Sequence, residues 1–320
     1  MTQPRSSRAL IILAFAAVYI FWGSTYLGIR FAIETLPPFL MAATRFLIAG
    51  AILFAWAVFR GERIRDALSQ WPKALFLGGL LLLCGNGGVT WAEKYIATGL
   101  AALLVASEPL WVVMLNWGIT RRRPNARVLL GVLIGLAGVA LLVSDGLTSI
   151  ESSNMDLISA GVVLLAAFCW AAGSVYANHR PIRASTSMAS GMQMFGGGLL
   201  LMVLALAVGD HQRLNLANAS WLSLGAMGYL IVFGSLVGFT AYSWLLRNVT
   251  PARAATYAYV NPVVAVMLGW FLASEPLTLR MLIAAVVIVG SVVLITTFGS
   301  DHAAATDTVH DSDCPTHPCA

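Results

Sequence analysis

Charge is what this sequence has least of. Only 10% of its 320 residues are Asp, Glu, Lys or Arg, while 59% are hydrophobic; an ordinary soluble domain carries about 25% charged residues. A chain so poor in charge cannot clothe a water-facing surface. Cysteine is scarce too. Of four, Cys84 and Cys169 lie in apolar runs, where a free thiol behaves as a small buried hydrophobe, and Cys314 and Cys319 lie in a polar tail. No disulfide framework is implied. No histidine falls deep within an apolar run, and Gly-x-Ser-x-Gly, phosphate-loop and ATP-binding motifs are missing. An enzyme needs a nucleophile with its base, paired carboxylates or a metal cluster at a common depth. None is legible, and the lack of a nucleotide motif speaks against a primary pump. No small-residue cleavage site follows a short apolar core, so the first apolar run reads as a retained helix and not a cleaved signal.

What the chain does have is long apolar runs. Windows of about 18 or more apolar residues read as membrane-spanning helices. Runs bounded by charges, Pro and Gly predict ten spans, at 9–31, 37–59, 73–92, 98–118, 127–144, 156–178, 185–208, 220–246, 253–272 and 280–298. The expected fold is an all-α integral membrane protein. The net charge of +5 raises a nucleic-acid partner, but the positions of the charges argue against it. With the amino terminus inside, the inner segments hold Arg5 and Arg8; Arg60, Arg63, Arg65 and Lys73; Arg121, Arg122, Arg123 and Arg127; Arg180 and Arg183; and Arg247 and Arg253. The outer segments hold only Arg30, Lys94, Arg213 and Arg280, and Arg45 lies within a span. Basic residues favour cytoplasmic loops, so both termini are expected in the cytoplasm, with the 145–156 loop outside.

The two halves echo each other. Gly23-Ser24-Thr25-Tyr26 after Trp22 matches Gly173-Ser174-Val175-Tyr176 after Trp170, at an offset of 150. Glu108-Pro109 through Trp117 matches Asn261-Pro262 through Trp270 at an offset of 153, with Pro, Val, Met, Leu and Trp in register, and Arg127 and Arg280 keep that offset. The expected units are 1–145 and 156–298, followed by a tail over 299–320 expected to be disordered and cytoplasmic. Five spans per unit is an odd number, so the second copy is expected to enter the membrane upside down. Two inverted five-helix repeats around a central cavity are the architecture of alternating-access transporters, with the substrate near the midplane. An old duplication that survives in an inert or enzymatic membrane protein is the alternative.

Trp22-Gly23-Ser24-Thr25-Tyr26, Arg45-Phe46 with Ala49-Gly50, Gly131 through Gly138, and Tyr257-Ala258-Tyr259-Val260-Asn261-Pro262 together resemble the EamA-type branch of the drug/metabolite transporter superfamily, over about residues 9–298. That resemblance implies a ten-helix bundle of two inverted repeats in the inner (plasma) membrane. It implies export of small metabolites, amino acids or amphipathic drugs by a secondary mechanism. The chain is most like the family's bacterial exporters, and the resemblance carries no substrate. An uncoupled facilitator or exchanger of amino acids is the nearest alternative.

Charges inside a bilayer are costly and usually face a cavity or a partner. Glu108 is the one acidic residue in the middle of a predicted span, and Glu93 lies near the outer end of the third. At 1.5 Å per residue Arg45 sits roughly 12 Å and Glu108 roughly 15 Å deep, so an Arg45–Glu108 or Arg45–Glu93 pair is within reach, as a static link or as a site. The two acids are the only groups placed to couple a proton. Pro109 and Pro262 deprive the carbonyls of Val105 and Ala258 of helical partners, and paired interruptions in two repeats point to a transport site, or more simply to kinks. Trp22, Thr25, Tyr26, Asn86, Ser174, Tyr176, Gln193, Tyr242, Tyr257, Tyr259 and Asn261 complete the candidate lining. Trp and Tyr suit amphipathic ligands and cations; interfacial belts account better for Trp71, Trp91 and Trp221. Gly131-x-x-x-Gly135 and Gly196-Gly197-Gly198 are expected to pack helices within the bundle, so the chain is expected to work as a monomer, with a small solute and the bilayer as its partners. No cofactor is expected. Cys314, His317 and Cys319 have soft-metal chemistry, but a short polar tail favours disorder.

Overall fold

A computed structural model describes residues 8–96, 98–147, 154–273 and 278–298. The tail beyond 298, its Cys/His cluster and the 148–153 loop lie outside the described residues. Those described are helical or in connecting turns, without a strand. The long elements in chain order are α1 (Arg8–Ile33), α2 (Pro38–Phe59), a short α3 (Ile64–Leu68), α4 (Trp71–Ala92), α5 (Thr98–Val105), α6 (Glu108–Thr120), α7 (Ala126–Leu147), α8 (Asn154–His179) and α9 (Thr186–Ala207). They continue with a single turn α10 (Asp210–Arg213), α11 (Trp221–Asn248), a single turn α12 (Pro251–Ala254), α13 (Tyr257–Ala273) and α14 (Leu279–Phe298). Among the described residues eight helices are long and apolar enough to cross a membrane.

Local chemistry sets the ends of these helices. Pro37-Pro38 opens α2, where the missing N–H costs nothing. The remaining donors of that end are capped from far along the chain: the buried Asp210 carboxylate accepts from Phe39 N at 3.0 Å and Leu40 N at 3.4 Å. Ser185 and Ser220 cap α9 and α11 by accepting from Met188 N and Ser223 N.

The helices assemble in a pattern with two-fold character. Helix α2 packs most extensively on α9, and α7 on α14. α1 packs on α13 and α11, just as α8 packs on α5, α6 and α4. Glycines make the closest approaches. A methyl on Gly50 would stand 2.9 Å from Gly191 O, and one on Gly191 2.7 Å from Phe54 N, so the α2 and α9 backbones touch. Gly197 faces Gly78 and Leu82 of α4, while Gly198 faces Leu47 of α2. Gly131 and Gly135 seat against Ile295 and Ser291 of α14. These glycines thus serve packing inside the bundle. The outer wall is apolar, with Ile12, Leu13, Trp56, Leu165, Val203, Val286 and Val293 all exposed, which is the surface a bilayer covers.

Several expectations change here. The fourth predicted span is interrupted part-way: across Leu100–Thr120, regular helix gives way to a turn at Ala106 and Ser107 and resumes at Glu108 with Pro109 in its first turn. Pro262, in contrast, stays within α13, and the corresponding break falls earlier, at Ala255–Thr256. There Thr256 Oγ1 donates to Arg253 O and shares a 2.7 Å hydrogen bond with Tyr19 Oη. The two interruptions therefore do not match in position; at the first, Ser107 Oγ donates to Leu104 O at 2.7 Å, as Thr256 does to Arg253 O at the second. Cys84 is exposed on the outer wall and Cys169 only half-buried, rather than both being buried, since apolar thiols fit a lipid-facing wall as well as a core.

Candidate functional site

Two helices carry a π-helical stretch: Gly79–Asn86 within α4 and Leu230–Phe239 within α11. A π turn leaves backbone carbonyls out of the regular ladder and tends to appear at functional sites. Gly234 O, within the second stretch, accepts from Trp22 Nε1 at 3.0 Å. Side-chain-free positions let this happen: a methyl on Gly234 would stand 2.7 Å from Arg45 Nη2 and 3.0 Å from Thr25 Cγ2, and one on Gly238 would collide with the Trp22 indole.

Between the π stretches, α1, α2, α8 and the α5–α6 break lies a chamber of about 80 Å³. Trp22 forms one wall, edge-on to Trp170 and Tyr257 with ring centroids 5.5 and 4.8 Å away. Tyr242 backs it at 4.9 Å, held by Ser174 Oγ at 2.7 Å and by Trp170 Nε1, which donates at 3.3 Å. The polar lining comes from Arg45, Glu108, Asn261, Asn86, Thr25 and Tyr26. Arg45 Nε donates to Ser235 Oγ at 2.8 Å, and its guanidinium stacks 4.7 Å from the Phe46 centroid. Tyr257 Oη donates to Glu108 Oε2. Three buried polar atoms here have no protein partner: Arg45 Nη1, Glu108 Oε1 and Asn261 Oδ1. Each such atom costs about 1–3 kcal/mol, more when charged, and together they offer one cationic donor and two acceptors.

The profile of the EamA-like transporter family matches twice, over residues 9–144 and 157–297. The chain belongs to the EamA-like transporter family. It is a multi-pass membrane transporter built on a duplicated unit, not an enzyme. The uncharacterized inner membrane transporter YedA of Escherichia coli (strain K12) is 40% identical over 286 residues, covering 88% of this chain and 89% of that one. A chloroplastic WAT1-related protein of Arabidopsis thaliana is 26% identical over 87% of this chain and 67% of its own length. The uncharacterized transporter YvbV of Bacillus subtilis (strain 168) is 24% identical over 93% and 94%. A protein of known crystal structure superposes with a TM-score of 0.75 at 20% identity, covering 92% of this chain and 98% of the other, a likeness of fold alone.

Within this EamA bundle the expected site residues separate into groups. Trp22, Thr25, Tyr26, Arg45, Asn86, Glu108, Tyr257 and Asn261 line the chamber. Tyr242 and Ser174 stand behind the lining and orient it. Pro109 adjoins it at the start of α6. The rest lie elsewhere. Glu93 is buried with both carboxylate oxygens unpartnered and is not a lining residue. Tyr176, included as the counterpart of Tyr26, packs edge-on against Phe76. Gln193 is buried against α4 and lines a small recess with Arg247. Tyr259 donates to Val132 O in the core between α7 and α14, and Pro262 continues α13.

The expected Arg45–Glu108 and Arg45–Glu93 ion pairs are not formed, since Ser235 takes the guanidinium and Tyr257 takes the Glu108 carboxylate. Among the described residues the salt bridge found is Arg213–Asp210 at 3.9 Å. Those residues hold no group of three metal-ligating side chains. Sequence reasoning missed Trp170, Phe46, Gly85, Gly234 and Phe239 as lining. Only Gly234-x-x-x-Gly238 inside an apolar run offered a signal for the second π stretch.

Proposed function

We propose that this transporter exports a small solute across the inner membrane by alternating access, with the chamber as its substrate site. The carrying observation is that Arg45 Nη1, Glu108 Oε1 and Asn261 Oδ1 sit unpartnered in one aromatic-walled chamber. A solute that brings both an acceptor and a donor would satisfy all three, which favours a zwitterion or a polar amphipathic molecule over a simple ion. The chamber's 80 Å³ is well under the roughly 300–1,000 Å³ of drug-sized pockets, so it must widen to take a solute of that size.

Further support comes from the pattern of contacts. Exchanging the first unit (1–145) for the second (156–298) maps each major helix contact onto another, as two repeats related by a two-fold axis require. With ten spans, five per unit, the axis lies in the membrane plane and the repeats are inverted. The charge distribution supports both termini in the cytoplasm, and the name of the Escherichia coli relative supports the inner membrane. Glu108 is the group in this site able to exchange a proton, and we assign it the coupling role.

The test is efflux from proteoliposomes loaded in turn with amino acids and drugs. Accumulation outside against a gradient, driven by a pH difference, is the expected result. Movement only down a gradient would replace the coupled mechanism with a facilitator. No movement of any solute, with protein correctly inserted, would overturn the assignment.

A further inference from the structure

A second recess opens at the end of the bundle where α6, α8, α11 and α14 finish and α7 begins. Its volume is about 440 Å³, and none of its lining residues is acidic. Four arginines reach it, Arg122, Arg123, Arg247 and Arg253, together with His179. Their states differ. Arg247 is already committed, donating to Ala184 O at 2.8 Å and Ile182 O at 3.2 Å. His179 Nε2 is tied to Asn116 Oδ1 at 2.8 Å. Arg253, however, is half-buried with Nε shielded from solvent and without a partner. Arg122 and Arg123 are exposed.

The backbone aims those two side chains. α6 ends on Arg121 in the left-handed region, φ 57°, with Arg121 N donating to Trp117 O. Non-glycine residues adopt that conformation rarely, and glycine is usual at this cap. Here the turn carries three consecutive arginines and swings the last two into the lining of the recess. One side of the recess is apolar: Phe298, Val249, Val128 and the half-exposed Trp117. The guanidinium of Arg127 stacks 4.5 Å from Phe298 and adds charge at the rim.

We propose that this recess binds a phosphate group, presented by an anionic phospholipid head whose upper chain lies along the apolar side. Guanidinium groups favour phosphate through paired hydrogen bonds, and basic pockets between membrane helices hold anionic head groups. The site is separate from the central chamber, with which it shares no lining residue. A contrast on the same chain is the pair Arg63 and Arg65: both are exposed, but the recess that Arg63 lines is also lined by the acidic Glu62.

The test uses the purified full chain in neutral detergent, titrated with phosphatidylglycerol, phosphatidylcholine and inorganic phosphate, with bound lipid counted by native mass spectrometry. Phosphatidylglycerol retained in preference to phosphatidylcholine, and not displaced by millimolar phosphate, is the expected result and identifies the lipid as the source. Binding of phosphate with displacement of the lipid would support the site with a soluble ligand instead. The double variant R122Q/R123Q, on exposed positions that leave the fold intact, should weaken binding by roughly fivefold per arginine removed. R122K/R123K should restore most of it. No preference for phosphatidylglycerol together with no phosphate binding would overturn the proposal. So would an equal loss in the control R63Q/R65Q, which would show diffuse surface charge.

Discussion

At the scale of single residues, the chamber is defined by what its polar groups leave undone. Glu108 spends one carboxylate oxygen on Tyr257 and leaves the other free; Arg45 spends Nε on Ser235 and leaves Nη1 free. Because no ion pair joins them, Glu108→Gln strands no cation and should not lower the amount of protein in the membrane. It should abolish pH-driven efflux while exchange persists in part, since glutamine keeps the shape and loses the titrating proton. Efflux rates measured across pH, beside protein level, decide this; an unchanged pH profile would remove Glu108 from the coupling role. Gly234→Ala tests the opposing wall. The added methyl stands 2.7 Å from Arg45 Nη2, so the guanidinium must shift while the fold absorbs little strain, the clashing atom being the far end of a long side chain. Transport should fall at least tenfold with abundance nearly unchanged, and wild-type transport would show that the Arg45 position is not critical. Trp22, Arg45 and Glu108 were legible beforehand, because a mid-span charge or a tryptophan far from the interface needs a partner. Tyr176 misled because repeat symmetry equates it with Tyr26. The chamber does not obey that symmetry: one tyrosine lines it and the other packs on Phe76.

At the scale of elements, the ends of helices were read well and their interiors poorly. Expected spans such as 37–59 and 185–208 fall within a residue or so of Pro38–Phe59 and Thr186–Ala207, since Pro and Ser mark those starts in plain view. The π stretches were invisible because a helix apolar on all sides has no polar stripe whose phase could reveal an extra residue per turn. Long-range capping was equally hidden. Asp210 looks like an ordinary loop acid in sequence, yet it caps α2 across 171 residues. Asp210→Ala should lower stability by about 1–2 kcal/mol through the lost cap and the lost charge at a helix start. Thermal unfolding in detergent would show this as a lower midpoint, whereas Asp210→Asn, which keeps the acceptor, should lose less. Equal losses for the two would place the effect outside the cap.

At the scale of the whole molecule, orientation is the claim with the widest consequences. If both termini lie in the cytoplasm, a cysteine placed at Ser149 should react with an impermeant reagent from outside, and one at Ser69 should not; the reverse pattern would overturn that orientation. The pairing of α2 with α9 and α7 with α14 bears on origin. In each pair a helix meets its own counterpart, and between α2 and α9 Gly50 lies against Gly191. Self-complementary contact of that kind is how two identical subunits join, so the two units are expected to associate even without the covalent linker between residues 147 and 154. Two separately translated polypeptides cut in that linker should therefore find each other in the membrane and rebuild one working transporter.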